Sequence, residues 1–151
     1  MNSDASIFQK LPIAACRSMS TSFPMAKDWP VSYFSQYVLR CADNYGSYGA
    51  VGFCIVRFDK DEIRVEDFML SCRVQGRFIE QALFDHLVNE LEGEKPKSLW
   101  VNFQPTGRNI PAQQVLESLN FVPCPSGKGL RLDLSCYPLE CDFISVQHSA
   151  A

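Results

Sequence analysis

Ten residues in mid-chain, Met69-Leu70-Ser71-Cys72-Arg73-Val74-Gln75-Gly76-Arg77-Phe78, bring a thiol, two guanidinium groups and a glycine into one short stretch. They lie between a strand-like run, Glu62 to Leu70, and a helix-like run, Ile79 to Leu91. The first backbone N–H groups of a helix lack intrahelical partners, and the helix dipole favours negative charge there. A strand that enters an Arg- and Gly-containing turn and then a helix is therefore a way to build an anion site. Arg73 and Arg77 pair with a phosphate in this reading, and Gly76 lets the backbone approach it. Cys72 is the candidate nucleophile, because a helix N-terminus and the adjacent Arg73 both favour thiolate over thiol. The pattern suits a ligand that carries a phosphate and an acyl thioester together. The plainer alternatives are a small buried residue at a strand end for Cys72, and a strand cap with a solvated helix start for the arginines.

The flanking elements must hold that turn in place. Tyr37 to Cys41 reads as a strand, and Asp43 to Gly49 is rich in turn formers. Ala50 to Phe58 is a nearly continuous apolar run, as in a central strand. Asp59-Lys60-Asp61 is a polar turn, and Glu62 to Leu70 alternates at first and then turns apolar. These strands predict an antiparallel meander. Ile79, Leu83, Leu87 and Leu91 recur at helical spacing, with Ala82, Phe84 and Val88 widening the stripe. Gly93 and Pro96 end that helix. Leu99 to Phe103 predicts a further strand, Thr106 to Asn120 a second helix, and Phe121 to Pro123 and Gly129 to Leu134 two closing strands. Before Tyr33 the pattern is weak, with a short strand expected near Ile7 to Cys16 and a helical turn near Met25 to Trp29 between Pro24 and Pro30. The division expected is a weakly patterned segment 1–34, a folded domain 35–135 and a tail 136–151. The class is α+β, with two main helices packed on a mixed sheet.

Other polar residues have weaker claims. Thr106 and Asn109 stand at the second helix's start, where they serve as contacts for an extended ligand arm or as caps; Asn109 is a fit N-cap, and Pro111 lies in the first turn. Glu66 and Asp67 precede the loop, and one of them should face a groove if the strand alternates; an ordinary surface carboxylate is the preferred reading. His86, in mid-helix, is too far along to activate Cys72 directly and reads as a helix-surface residue. Tyr45, Tyr48, Phe53, Phe58, Phe68 and Trp100 read as core and rim packing rather than a stacking platform.

Composition narrows the class. A chain of 151 residues with 46% hydrophobic and 21% charged content makes one globular domain with a real core. A net charge of −3 argues against general nucleic-acid binding. No apolar run is long enough to span a membrane, and Met1 to Lys10 lacks the regions of a secretory signal. Seven cysteines without a CxxC pair read as thiols in a reducing compartment, hence a cytoplasmic location. No zinc-type spacing occurs, so no metal is expected; Cys136 and Cys141 read as plain thiols rather than a pair or a metal site.

The order of elements resembles the GNAT acyltransferase fold. Arg73 to Phe78 looks like that family's Arg/Gln-x-x-Gly-x-Gly/Ala loop, which cradles the pyrophosphate of coenzyme A. Asn109-Ile110-Pro111-Ala112 with Leu116 to Phe121 looks like its later Asn-x-x-Ala and Tyr-Glu-Lys-x-Gly-Phe stretch. Three further matches narrow the resemblance: Asp43 to Gly52, Phe68 to Arg77 with Glu80, and Pro105-Thr106 with Asn109. Together they resemble the C-terminal domain of FkbH-like proteins, over roughly Tyr37 to Phe121. That family loads a glyceryl unit from a phosphorylated glycerate onto an acyl carrier protein in polyketide-type biosynthesis, beside a separate haloacid-dehalogenase-like phosphatase domain. The resemblance implies a phosphopantetheine thioester, on an acyl carrier protein or coenzyme A, as substrate. It implies Cys72 as the acyl-carrying residue and Arg73, Val74, Gln75, Gly76, Arg77, Thr106 and Asn109 as its ligand contacts. This chain has no Asp-x-Asp motif for the phosphatase step.

Departures from the pattern keep three functions open. Phe78 stands where the GNAT loop has its last glycine, Leu116 where a tyrosine often protonates the leaving thiolate, and Asn120 where a glycine precedes Phe121. The first function is acyl transfer to or from a carrier thioester. The second is a carrier-docking module without chemistry. The third is acetyl-CoA-dependent N-acetylation, against which Phe78 and Leu116 count.

Overall fold

This computed structural model describes residues 4–11, 33–75, 77–90, 96–135 and 144–150, with the backbone alone for 4–11, 33 and 144–150. Eight strands and two helices follow the chain: β1 Asp4–Leu11, β2 Tyr33–Asp43, β3 Gly46–Phe58, β4 Glu62–Leu70, α1 Ile79–Glu90, β5 Ser98–Val101, α2 Ile110–Ser118, β6 Val122–Pro123, β7 Leu130–Asp133 and β8 Ile144–Ala150. They form one sheet in the order β6-β7-β5-β4-β3-β2-β1-β8. Strands β1 to β4 are antiparallel neighbours. Helix α1 then crosses over, so β5 runs parallel to β4, and β7 closes antiparallel on β5. The expected meander, crossover and closing strands are all present. The expected early strand sits at Asp4–Leu11 and pairs with β2, while the stretch read as a tail contains β8, parallel to β1. The helical turn expected near Met25 to Trp29 lies outside the described residues, as do Gly76, Leu91, Gly93, Lys95, Cys16, Cys136 and Cys141.

One face of the sheet carries the core. Tyr37 and Leu39 of β2, Cys54, Val56 and Phe58 of β3, and Ile63 and Val65 of β4 are buried there, as period-two alternation requires. Ile79, Ala82, Leu83, Phe84 and Leu87 of α1 pack onto them as the predicted stripe. Phe84 links the layers, 6.2 Å from Phe68 of β4 and 5.4 Å from Phe121 after α2 by ring centroids. His86 is no free surface residue: its side chain is only 16% exposed, lies beside Glu90, and meets Tyr37 edge-on. The Tyr37 hydroxyl donates to that same Glu90.

Helix α2 ends in a Schellman motif. Asn120 takes φ +67, its N–H bonds the Glu117 carbonyl, and the Phe121 N–H bonds that of Leu116. Leu116 and Phe121 are both buried, which supplies the apolar contact such an end uses. Asparagine tolerates the left-handed conformation, so replacing the expected glycine costs little. No helix among the described residues is long and apolar enough to cross a membrane.

Candidate functional site

A bulge in β4 creates the site. Val56 pairs with Val65 and Ile55 with Asp67, so Glu66 is an extra residue with no partner on β3. That residue flips the alternation: Phe68 and Leu70 turn onto the core face, where Asp67 and Met69 would otherwise lie. This explains why the run alternates at first and then reads as apolar. Ser71 N–H bonds Val51 O, which makes Met69–Phe53 and Asp67–Ile55 the hydrogen-bonded pairs of the ladder. The backbone groups of Phe68 and Leu70 therefore point away from β3, toward the position of β5. Strand β5 does not reach them. Its pairing stops at Val101, two residues before the expected end at Phe103. Asn102 closes the junction, its N–H donating to Val65 O at 2.9 Å and its side-chain amide to Glu66 O at 3.1 Å. Beyond it the two parallel strands part, and β4 shows a stretch of unpaired strand edge to the gap.

The stretch from Cys72 to Gln75 follows β4 after Ser71. Val74 N–H bonds Ser71 O, and Val74 is fully buried, so it anchors the turn rather than facing a ligand. Cys72 is exposed, unlike the buried Cys54, whose thiol burial holds far up. Arg73 is exposed, with its backbone and side chain near Ser71 Oγ. Arg77 reaches back to the β2–β3 hairpin. It donates to Asp43 at 3.2 Å and to the Tyr48 hydroxyl at 3.1 Å, while Tyr48 donates to Asp43 at 2.7 Å. The Tyr48 hydroxyl, the Tyr45 N–H and Arg77 hold the Asp43 carboxyl below its usual range. Arg77 thus ties the loop to the hairpin while its side chain stays 43% exposed. Phe78 takes φ +62, a conformation that favours glycine, and its ring is half exposed rather than folded into the core.

A cleft of about 340 Å³ opens on the helix side, between the start of α1 and the flank of α2. Gln75 and Glu80 line one wall, and Pro111, Ala112, Val115 and Ser118 the other. Glu80 is 7% exposed, and burial pushes its carboxyl above the usual carboxylate range. Thr106 and Asn109 stand beside α2 but line neither of the two clefts described here. Asn109 occupies the N-cap position without capping by its side chain. Its Oδ1 accepts from Thr106 N–H at 2.7 Å and its Nδ2 donates to Gln104 O at 2.8 Å, so it knits the preceding loop. Cys72 also lines neither cleft.

The opposite face carries a second cleft, of about 270 Å³, lined in part by Glu62, Arg64, Trp100, Asn102, Lys128 and Arg131. Arg64 and Trp100 are register partners across β4 and β5, and the guanidinium lies 3.8 Å from the indole ring centre. Arg64 pairs with Glu62 and Glu66, Arg57 with Glu66 and Asp59, and Arg131 with Glu62. Glu66 therefore belongs to a charge ladder on this face, and Asp67 is an exposed carboxylate beside it. Gly129 has to be glycine: a Cβ there would sit 2.6 Å from the Trp100 indole. The stack was missed from sequence because it depends on register; the outward positions of two neighbouring strands were its only signal.

No protein-family model matches the chain, and no curated protein sequence does. Solved structures share the architecture. A protein of E. coli, YhhK, assigned as an N-acetyltransferase and solved bound to coenzyme A, aligns at 12% identity over 74% of this chain and 80% of its own, with a TM-score of 0.51. A GNAT-family protein of Desulfovibrio desulfuricans, described as an acetyltransferase, aligns at 10% identity over 68% and 70%, with a TM-score of 0.51. A domain from Methanocaldococcus jannaschii aligns at 15% identity over 67% of each chain, with a TM-score of 0.50. The fold is that of the GNAT acyltransferases.

Proposed function

We propose that this domain transfers an acyl group to or from a thioester on a phosphopantetheine arm. The parting of β4 and β5 after Val65 and Val101 carries this reading. Phe68 and Leu70 offer backbone donors and acceptors to an extended, amide-bearing chain, which binds there as an added strand would. The exposed arginines at Arg73 and Arg77 suit the phosphate end. The coenzyme A in the E. coli protein of like fold supports a coenzyme A-type ligand.

Within that reading the donor or acceptor is an acyl carrier protein or coenzyme A. The acyl unit is a glyceryl group in a polyketide-type pathway, and a haloacid-dehalogenase-like phosphatase domain acts beside it in the cytoplasm. The sequence resemblance at Asp43 to Gly52, Phe68 to Arg77 and Pro105 to Asn109 supports these finer points. Cys72 attacks the thioester carbonyl, its sulfur gains the acyl group, the old C–S bond breaks, and the carrier leaves as a thiolate that takes up a proton. The exposure of Cys72 at the mouth of the loop supports this step.

A second reading keeps the fold as a carrier-docking module. Phe78 in a glycine-like conformation and the buried Leu116 in place of an acid favour it. A third reading, acetyl-CoA-dependent N-acetylation, draws on the E. coli protein's assignment. Intact mass separates the three after incubation with acyl-CoA, an acyl-loaded carrier protein and a phosphorylated glycerate. An adduct lost in Cys72→Ala supports the first. Carrier binding without an adduct supports the second, and amine acetylation indifferent to Cys72→Ala the third.

A further inference from the structure

Glu80 is the one ionisable residue among the described residues that line the helix-side cleft. It lies in the first turn of α1, at 7% exposure, and lines the cleft facing α2. Among the described residues its carboxyl meets one hydrogen-bond donor, its own backbone amide. Any oxygen of that carboxyl without a protein partner still touches solvent, and a group that enters the cleft and displaces that water must replace its hydrogen bond. That group must bring an N–H or O–H. A phosphate cannot, because it would set like charge against Glu80 at short range. This divides a long ligand: its anionic end stays outside with Arg73 and Arg77, and a neutral, donor-bearing segment occupies the cleft.

We propose that Glu80 is a specificity-determining residue, whose carboxylate accepts a hydrogen bond from an amide N–H of the donor's pantetheine-type arm. The inference rests on the thioester reading of the preceding subsection and adds a recognition element to it. It makes the cleft a reader of amides, with the phosphate grip supplied separately by the loop.

Calorimetric titration tests it, using coenzyme A, phosphate-free pantetheine, and a pantetheine analogue in which esters replace the two amides. The expected pattern has wild type binding coenzyme A and pantetheine. Glu80→Leu weakens pantetheine by about tenfold, the scale of one charge-assisted hydrogen bond, and Glu80→Gln restores it to within about threefold because its carbonyl still accepts. The ester analogue binds wild type about tenfold more weakly than pantetheine does, and binds Glu80→Leu no more weakly than wild type. Equal binding of pantetheine and its ester analogue by wild type would overturn the proposal, and that arm needs no variant to fold. Equal binding of pantetheine by wild type and a folded Glu80→Leu would overturn it as well. Wild type that binds neither coenzyme A nor pantetheine would instead sink the thioester reading itself, and this inference with it.

Discussion

Phe78 and Glu80 sit two residues apart, and each holds a conformation or a charge that its surroundings resist. At φ +62 a side chain's Cβ crowds the backbone, and glycine escapes this. The comparison that isolates the effect is Phe78→Gly against Phe78→Ala, since both lose the ring. The glycine variant is expected to be the more stable by about 1 kcal/mol in urea denaturation. For Glu80, burial raises the folded-state carboxyl pKa above its unfolded value. The native state then binds more protons than the unfolded one over that interval, so stability falls as pH rises through it. Glu80→Gln removes the charged form. It is expected to raise the melting temperature at neutral pH, with the gain disappearing in acid once both states of the wild-type carboxyl are protonated. Phe78 was legible from the sequence as a departure from a glycine. Glu80 was legible only as a match to the family pattern; its burial was not, because it depends on how segments distant in sequence pack around it.

At the scale of elements, the β4 bulge governs what the sheet can present. Deleting Glu66 would leave a regular ladder in which Val65, Phe68 and Leu70 keep the core face and Asp67 and Met69 the charged face, with only the bulge and the Glu66 ion pairs lost. The expected result of that deletion is a cooperative melt by circular dichroism that is retained, with a changed β4–β5 junction where Glu66 O accepts from Asn102. A second probe acts on the other face. Gly129→Ala drives a methyl against the Trp100 indole and Val101 O, and should cost about 1–3 kcal/mol in denaturant unfolding. Element types were readable because their apolar spacing is local. The short reach of β5 was not: Leu99 to Phe103 is apolar enough to continue as strand, and Asn102 ends the pairing only through bonds to Val65 and Glu66 on its neighbour.

Across the whole molecule, a single core joins sheet and helices. Phe84 is fully buried and bridges Phe68 and Phe121, so it ties β4, α1 and the end of α2 together. Phe84→Ala is expected to cost about 3–5 kcal/mol and to lower the melting temperature in one transition followed alike by near-UV and far-UV circular dichroism. Two clefts lie on opposite faces of the sheet, one with a lone carboxylate among its described lining residues and one with a ladder of paired charges.

By itself the sequence determined the elements and their order, since 2.0- and 3.6-residue periodicities are written in neighbouring residues. It also set a thiol and two guanidinium groups side by side at Cys72 to Phe78, and named the αL residue that ends α2. Tertiary structure alone decided where that chemistry points. It sent Arg77 to Asp43 and Tyr48, turned Asn109 to its own loop, stacked Arg64 on Trp100, and buried Glu80 in a cleft. Apart from the local bonds of Asn109, each of these placements spans a register or a helix contact, and the energy that selects it exists only once distant segments have packed.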